Sequence, residues 1–204
     1  MSENLKVRKA IESSGLIGSV IVLLGIFVFS VITPGYSTLN QTVSELGAKG
    51  ATNAAFFNAV LTIGLIFLII SSLAFVFKNN IFAKISGYLV IAAIFLIIVM
   101  AWFFPMDQWT GVRTPADELH SSIVTYAVEI FLISQIIAIK YFNEIKKYNM
   151  QNITIALFAI GLFFGMLSLV AHINQSELIN IAERGWMAAF IVYFAFIPKS
   201  LAKI

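Results

Sequence analysis

Apolar residues run in six long blocks along the chain, separated by short polar stretches. A membrane-crossing helix needs about 20 mostly apolar residues to span a hydrocarbon layer of about 30 Å. The blocks predict helices over about 14–32, 53–77, 81–104, 117–140, 151–172 and 179–197. Helix breakers punctuate them: Thr33-Pro34-Gly35 after the first, Pro105 after the third, Pro115 before the fourth and Pro198 after the sixth. Lys6, Arg8 and Lys9 resemble the basic start of a signal peptide, but the first block is long and Phe29-Ser30-Val31-Ile32 lacks a small-x-small cleavage site, so the helix reads as retained. The expected fold is all-α and polytopic, a single six-helix membrane domain over 1–204.

Composition sharpens this picture by exclusion. Of 204 residues, 60% are hydrophobic and 11% charged, less than half the roughly 25% charge of an ordinary soluble domain. Mean hydropathy is +0.94. So few charges cannot cover the surface of a soluble fold of this size, which excludes a soluble enzyme, a disordered chain and a nucleic-acid binder. The partner expected first is membrane lipid. With no Cys, thiolate metal sites, iron–sulfur clusters and cysteine nucleophiles are excluded. No cofactor is evident.

Charge placement then gives an expected orientation. Lys6, Arg8, Lys9, Lys78, Lys84, Lys140, Lys146, Lys147, Lys199 and Lys203 fall on one side; Lys49, Arg113 and Arg184 fall on the other. The excess of basic residues marks the cytoplasmic side. Both termini are therefore expected in the cytoplasm, with the chain a multi-pass protein of the plasma membrane. Glu45, Asp107, Asp117, Glu118, Glu177 and Glu183 lie on the outer side.

The outer connection from about Thr33 to Thr52 is long and polar, the kind of loop on which a rigid scaffold displays functional residues. Thr42-Val43-Ser44-Glu45 fits a T-x-x-E capping box, which predicts a short helix or an ordinary capped turn at the outer interface. Asn40-Gln41-Thr42 and Asn174-Gln175-Ser176 are short glycosylation-type patterns. Gly161 and Gly165 form a G-x-x-x-G on the fifth helix, and Ser14, Gly18 and Gly25 give the first helix small residues; packing within the chain is the simplest use of both.

Several short motifs stand in a suggestive order: Ser44-Glu45-Leu46-Gly47-Ala48, Phe56-Phe57-Asn58, Phe104-Pro105-Met106-Asp107, His120-Ser121 and Glu183-Arg184. Their order and placement resemble family number 998 of the domains of unknown function, six-helix integral membrane proteins of bacteria and archaea. The resemblance covers about Gly15 to Ile197. It implies the fold and singles out these residues; it implies no activity.

The motif residues gather on the outer side. Ser44, Glu45, Asp107, His120 and Arg184 are candidate binding residues, and His172 at the end of the fifth helix is near them. Two histidines and several carboxylates suit a divalent cation, which makes His120 and His172 weak metal-ligand candidates. They also suit general acid–base chemistry, or a lipid headgroup held through Arg184. A third reading is structural: caps and ion pairs at helix ends, with Arg184 reaching Glu45 or Asp107. Glu129 is separate, a carboxylate near mid-membrane on the fourth helix. It stands on one stripe with Glu118, Ser122 and Thr125, while His120 points to nearly the opposite face. Charge at mid-bilayer costs about 2.5–3.5 kcal/mol on insertion scales, so Glu129 is expected to face water, or to hydrogen-bond Ser71, Ser72, Thr62 or Ser168.

Three functions follow as expectations. The first is a small binding or accessory protein with an outward polar site for a lipid headgroup, ion or partner. The second is an intramembrane lipid-directed hydrolase with His120, Asp107 and Glu45 as catalytic candidates and Ser44 as a possible nucleophile; no G-x-S-x-G elbow is present. The third is a proton-coupled transporter using Glu129, against which the absence of internal repeats counts.

Overall fold

A computed structural model describes residues 3–107, 114–174, 176 and 178–201. Arg113, Glu177, Lys203 and Gln175 of the second glycosylation-type pattern lie outside the described residues. Six helices form: α1 (Glu3–Ile32), α2 (Ala54–Val76), α3 (Ile81–Phe103), α4 (Pro115–Glu144), α5 (Tyr148–Ile173) and α6 (Leu178–Leu201). Each contains a stretch long and apolar enough to cross a membrane. The chain is thus a multi-pass membrane protein, and no strand forms among the described residues.

The helices outrun the apolar blocks because polar contacts extend them. Arg8 Nε donates to Glu12 Oε1 one turn on, at 3.1 Å, within the early part of α1. At the far end of α4, Lys140 Nζ lies 4.0 Å from the Phe82 ring centroid and Glu144 Oε2 accepts from Asn80 Nδ2 at 3.2 Å. Asn80 also caps α3, its Oδ1 accepting from the Phe82 and Ala83 N–H groups at 2.9 and 3.2 Å. The link from α4 to α5 is a tight reversal. Lys146 takes φ 55°, which lets Lys147 N–H reach Phe142 O at 2.9 Å and Lys146 N–H reach Asn143 O at 3.1 Å.

α6 was expected to end at Pro198, but it continues to Leu201. Proline has no N–H for the carbonyl of Phe194 four residues earlier. That freed oxygen sits where a Cβ on Gly15 of α1 would stand, so the glycine admits it at close range. A neighbouring helix thus accommodates the backbone group that proline releases, the usual condition for proline in a membrane helix.

The helices close into a ring: each packs on the next in sequence, and α6 returns to α1. α6 also touches α2 across the middle. Half of the apolar window of α6 is buried, against 17% of that of α5, the most peripheral helix. The end of the ring near the chain termini is filled with aromatic rings. Phe131 meets Phe190 at 4.8 Å and Tyr193 at 5.4 Å between ring centroids, and Phe75 joins Tyr193 and Phe142. The opposite end carries the 33–53 connection and is called the loop end below.

Candidate functional site

The 33–53 connection folds inward over the loop end. Its anchor is Leu46, fully buried in a small apolar cluster with Phe29, Val43 and Phe57. Around it the chain makes a single 3₁₀ turn, Ser44–Gly47. Gly47 is required by contact: the Asn58 side chain fills the space of its missing Cβ. Asn58 Nδ2 in turn donates to Ala101 O at 2.9 Å, tying α2, α3 and the turn together. The expected T-x-x-E capping box is half formed. Glu45 Oε1 accepts from Thr42 N–H at 2.9 Å, but the Thr42 hydroxyl donates to the same carboxylate and caps nothing. Glu45 Oε2 takes a further bond from Gln41 Nε2 at 2.7 Å. Glu45, Leu46 and Gly47 of this turn are buried.

α6 straps this loop down with two adjacent side chains. Glu183 Oε2 accepts from Val43 N–H at 2.6 Å, and Oε1 accepts from the Ser44 hydroxyl at 2.6 Å and the Ser44 N–H at 3.2 Å. Charge-assisted bonds of this kind are among the stronger ones. Arg184 Nη2 donates to Tyr36 Oη and to Gln41 O, both at 2.9 Å, while Nη1 donates to Asn180 O at 3.0 Å. The ion pair expected between Arg184 and Glu45 or Asp107 does not form; the guanidinium meets neutral oxygens because the loop brings carbonyls to it. Burial pushes the Tyr36 phenol above its ordinary value; Arg184 opposes that rise, and Glu183 and Glu45 reinforce it.

Asp107 belongs to a second cluster. Its Oδ2 accepts from the Thr114 hydroxyl at 2.7 Å, its N–H donates to Asp117 Oδ1 at 2.9 Å, and Lys49 Nζ lies 3.7 Å from its Oδ1. Thr114 and Asp117 form a reciprocal capping box at the start of α4, with Pro115 in the first turn. Asp107 therefore does not orient His120.

That role falls to the backbone. His120 is buried, and its Nδ1 lies 2.9 Å from Phe104 O. A carbonyl only accepts, so Nδ1 carries a proton; in the neutral ring Nε2 then keeps the lone pair. Nε2 is buried and has no hydrogen-bond partner among the described residues. A ring fixed by one nitrogen with the other unused is the arrangement of a general base, a ligand or a binding acceptor.

His120 lines two cavities. The smaller, about 60 Å³, is bounded by apolar residues of α1, α2, α3 and α6. The larger, about 540 Å³, lies among α4, α5 and α6 beneath the loop, within the roughly 300–1,000 Å³ of small-molecule sites. Ser44, Glu183 and Trp186 line both. From this polar roof the larger cavity runs down past Val128, Leu132, Leu162, Met166 and Leu169. Tyr126 on α4 and Leu162, Met166 and Leu169 on α5 are exposed, so the cavity opens along the α4–α5 flank.

Glu129 lines this cavity with Ser122 and Thr125 of its stripe, and is exposed there. The expected bond to a serine or threonine is absent among the described residues. Ser71 and Ser72 donate to Leu68 O, Thr62 donates to Asn58 O, and Ser122 and Thr125 bond back along α4. His120 and Glu129 stand on opposite faces of α4, yet both reach the cavity because it wraps around that helix. His172 lines it as well. No group of three His, Cys, Asp or Glu able to hold a metal occurs among the described residues.

The candidates thus divide. Ser44, His120, Glu129 and His172 share the cavity wall; Glu45 and Arg184 hold the loop in place and line neither cavity; Asp107 is spent on the α4 cap. Glu183 and Trp186 were not singled out as binding residues; Glu183 had a signal in its motif position, whereas Trp186 had none. The short motifs nevertheless interlock: Ser44 with Glu183, Gly47 with Asn58, Phe104 with His120, and Met106 O with Lys49 N–H at 2.9 Å. A family described as proteins of unknown function, DUF998, matches residues 16–197. The chain belongs to that family. No curated protein and no solved structure matches it.

Proposed function

We propose that this DUF998 protein is one membrane domain that binds an amphiphilic lipid between α4, α5 and α6. Its polar head sits beneath the loop beside Ser44, His120 and Glu183, and its chain descends along Leu132, Leu162, Met166 and Leu169. The observation that carries this reading is the cavity itself: a polar roof above a mostly apolar channel that opens sideways along α4–α5. In a bilayer that flank faces acyl chains, so a lipid enters without crossing water. The excess of basic residues supports a cytoplasmic terminal end and a cavity roof on the outer side of the plasma membrane; on this reading a reporter fused at Lys146 is active in the cytoplasm and one at Ser44 is not. The lipid reading is tested by filling the channel with Leu162→Trp and Gly165→Trp. Native mass spectrometry should show a lipid on the unmodified chain and none on the filled variant; equal lipid on both defeats the proposal.

A catalytic reading has one support of its own, the fixed His120 ring with Ser44 on the same cavity wall. The Ser44 hydroxyl donates to Glu183, so a nucleophile–base bond requires its rotation. Hydrolysis of a bound ester lipid that survives His120→Ala would remove this reading. Transport through Glu129 is tested by Glu129→Gln, which should abolish proton-coupled flux in vesicles if that carboxylate carries the proton.

A further inference from the structure

Resting on the lipid reading above, we infer that the head bound beneath the loop is uncharged and carries a hydroxyl group that donates to His120 Nε2. The unpartnered nitrogen is the first ground. A buried acceptor without a donor is uncommon in a folded protein, and this one belongs to a ring that lines a cavity. Its partner nitrogen is held by Phe104 O, so the ring cannot turn to satisfy itself without breaking that bond.

The charge of the wall is the second ground. The titratable groups lining the larger cavity are His120, Tyr126, Glu129, His172 and Glu183, and no Lys or Arg lines either cavity among the described residues. Arg184, the cation nearest in sequence to the roof residues, points its guanidinium at Tyr36, Gln41 and Asn180. A phosphate or carboxylate head brought here would lose its hydration and meet carboxylates in place of a cation. The described wall therefore offers an anionic lipid head no Lys or Arg.

A cationic head fares little better at the level of His120. Glu183 stands there, but both its oxygens are already taken by Val43 and Ser44. Glu129 is nine residues further along α4, roughly 13 Å deeper at 1.5 Å per residue. Among the described residues, an ammonium at the roof would have no free counter-ion. An uncharged hydroxyl needs none, and it supplies the donor that Nε2 lacks. Monoacylglycerols and long-chain alcohols are of this chemical class.

The test uses the full chain in phosphatidylcholine nanodiscs with a diazirine-bearing monoacylglycerol, and competitors of equal chain length. These are the unlabelled monoacylglycerol, its bis-methyl ether, an alkyl phosphate and an alkylamine. The monoacylglycerol should compete at least tenfold more effectively than the phosphate or the amine. It should also compete about 5–10-fold more effectively than the ether, the scale of one neutral hydrogen bond. In His120→Leu the preference over the ether should vanish while labelling persists. Should that variant fail to fold, the competitor series on the unmodified chain still decides. Labelling of α4 and α5 with no preference among heads overturns this inference and leaves the lipid reading standing. Absence of labelling on those helices overturns both.

Discussion

Two of the glycine-bearing seams of the ring close to different degrees. On the α1–α2 seam, a Cβ at Gly18 would lie 2.6 Å from Leu68 Cδ2 and 2.7 Å from Gly64 O, and one at Gly64 would lie 2.7 Å from Val22 Cγ2. On the α4–α5 seam, a Cβ at Gly161 would lie 3.3 Å from Leu132 Cδ2 and one at Gly165 would lie 3.7 Å from Val128 Cγ1. The first seam uses glycine to bring two backbones together. The second is looser: the contact at Gly161 is tight but falls on a side-chain methyl, that at Gly165 is ordinary, and Gly165 lines the cavity. The G-x-x-x-G spacing, the stronger motif on paper, marks the looser seam. A motif states that close approach is permitted; the facing helix decides whether it happens.

The largest expected effect breaks the tight seam. Gly18→Ala drives a methyl into the Gly64 carbonyl, which cannot rotate away as a side chain would. Overpacking of this kind costs about 1–3 kcal/mol, and the backbone contact puts Gly18→Ala near the top of that range. The unfolding midpoint in detergent should fall accordingly; an unchanged midpoint would show that the seam is slack. A smaller effect is expected at the cavity roof. Glu183→Ala strands the Val43 and Ser44 N–H groups, a loss of about 1–3 kcal/mol for buried unpaired groups. Because those donors belong to the loop, hydrogen exchange should quicken at residues 43–47 and stay unchanged along α1 and α2. Exchange rising equally at residues 43–47 and along α1 and α2 would mean that the roof and the bundle open together.

A still smaller effect separates the roof from the bundle by pH. The Tyr36 phenol is raised above its ordinary value chiefly by burial, so the neutral form is the one the folded loop favours. Its contribution is fully present below the unfolded value of about 10. It is lost as pH rises through the higher folded value. Loop exchange should therefore accelerate above about pH 10 while the α1–α2 amides follow only their intrinsic rates. Tyr36→Phe removes this step, since phenylalanine has no proton to lose; a step that persists in the variant assigns the transition to another group.

The sequence made the six helices plain because bilayer thickness sets their length and hydropathy reveals it. Helix ends were less plain, since Asn80, Lys140 and Glu144 extend them through contacts between segments. The site was legible as a set of motif residues but not as a set of bonds. Which oxygen Arg184 meets depends on the path of the 33–53 connection, and no local rule fixes that path. The pairing of His120 with the Phe104 carbonyl was hidden for a simpler reason: a backbone acceptor leaves no mark on residue identity. The stripe geometry of α4 correctly set His120 and Glu129 on opposite faces. It did not show that a cavity wraps around the helix to reach both, because that depends on where α5 stands.

The smallest expected effect is the most informative about the open seam. At Gly165 the added methyl of alanine meets Val128 Cγ1 at 3.7 Å, an ordinary van der Waals separation. In water, replacing a mid-helix glycine by alanine gains up to about 1 kcal/mol of helix propensity. In a membrane the separated helices remain helical, so most of that gain cancels and the new contact contributes only about 0.1–0.2 kcal/mol per atom pair. Gly165→Ala should therefore leave the unfolding midpoint within about 0.5 kcal/mol of the unmodified chain. The methyl nevertheless projects into the cavity wall, so bound lipid should weaken while stability holds. Loss of stability comparable to Gly18→Ala would show that α4 and α5 close more tightly than their distances indicate, and the contrast between the seams would be gone. Unchanged stability with weakened lipid binding would separate the two jobs that glycine performs in this ring: drawing α1 to α2, and leaving room between α4 and α5.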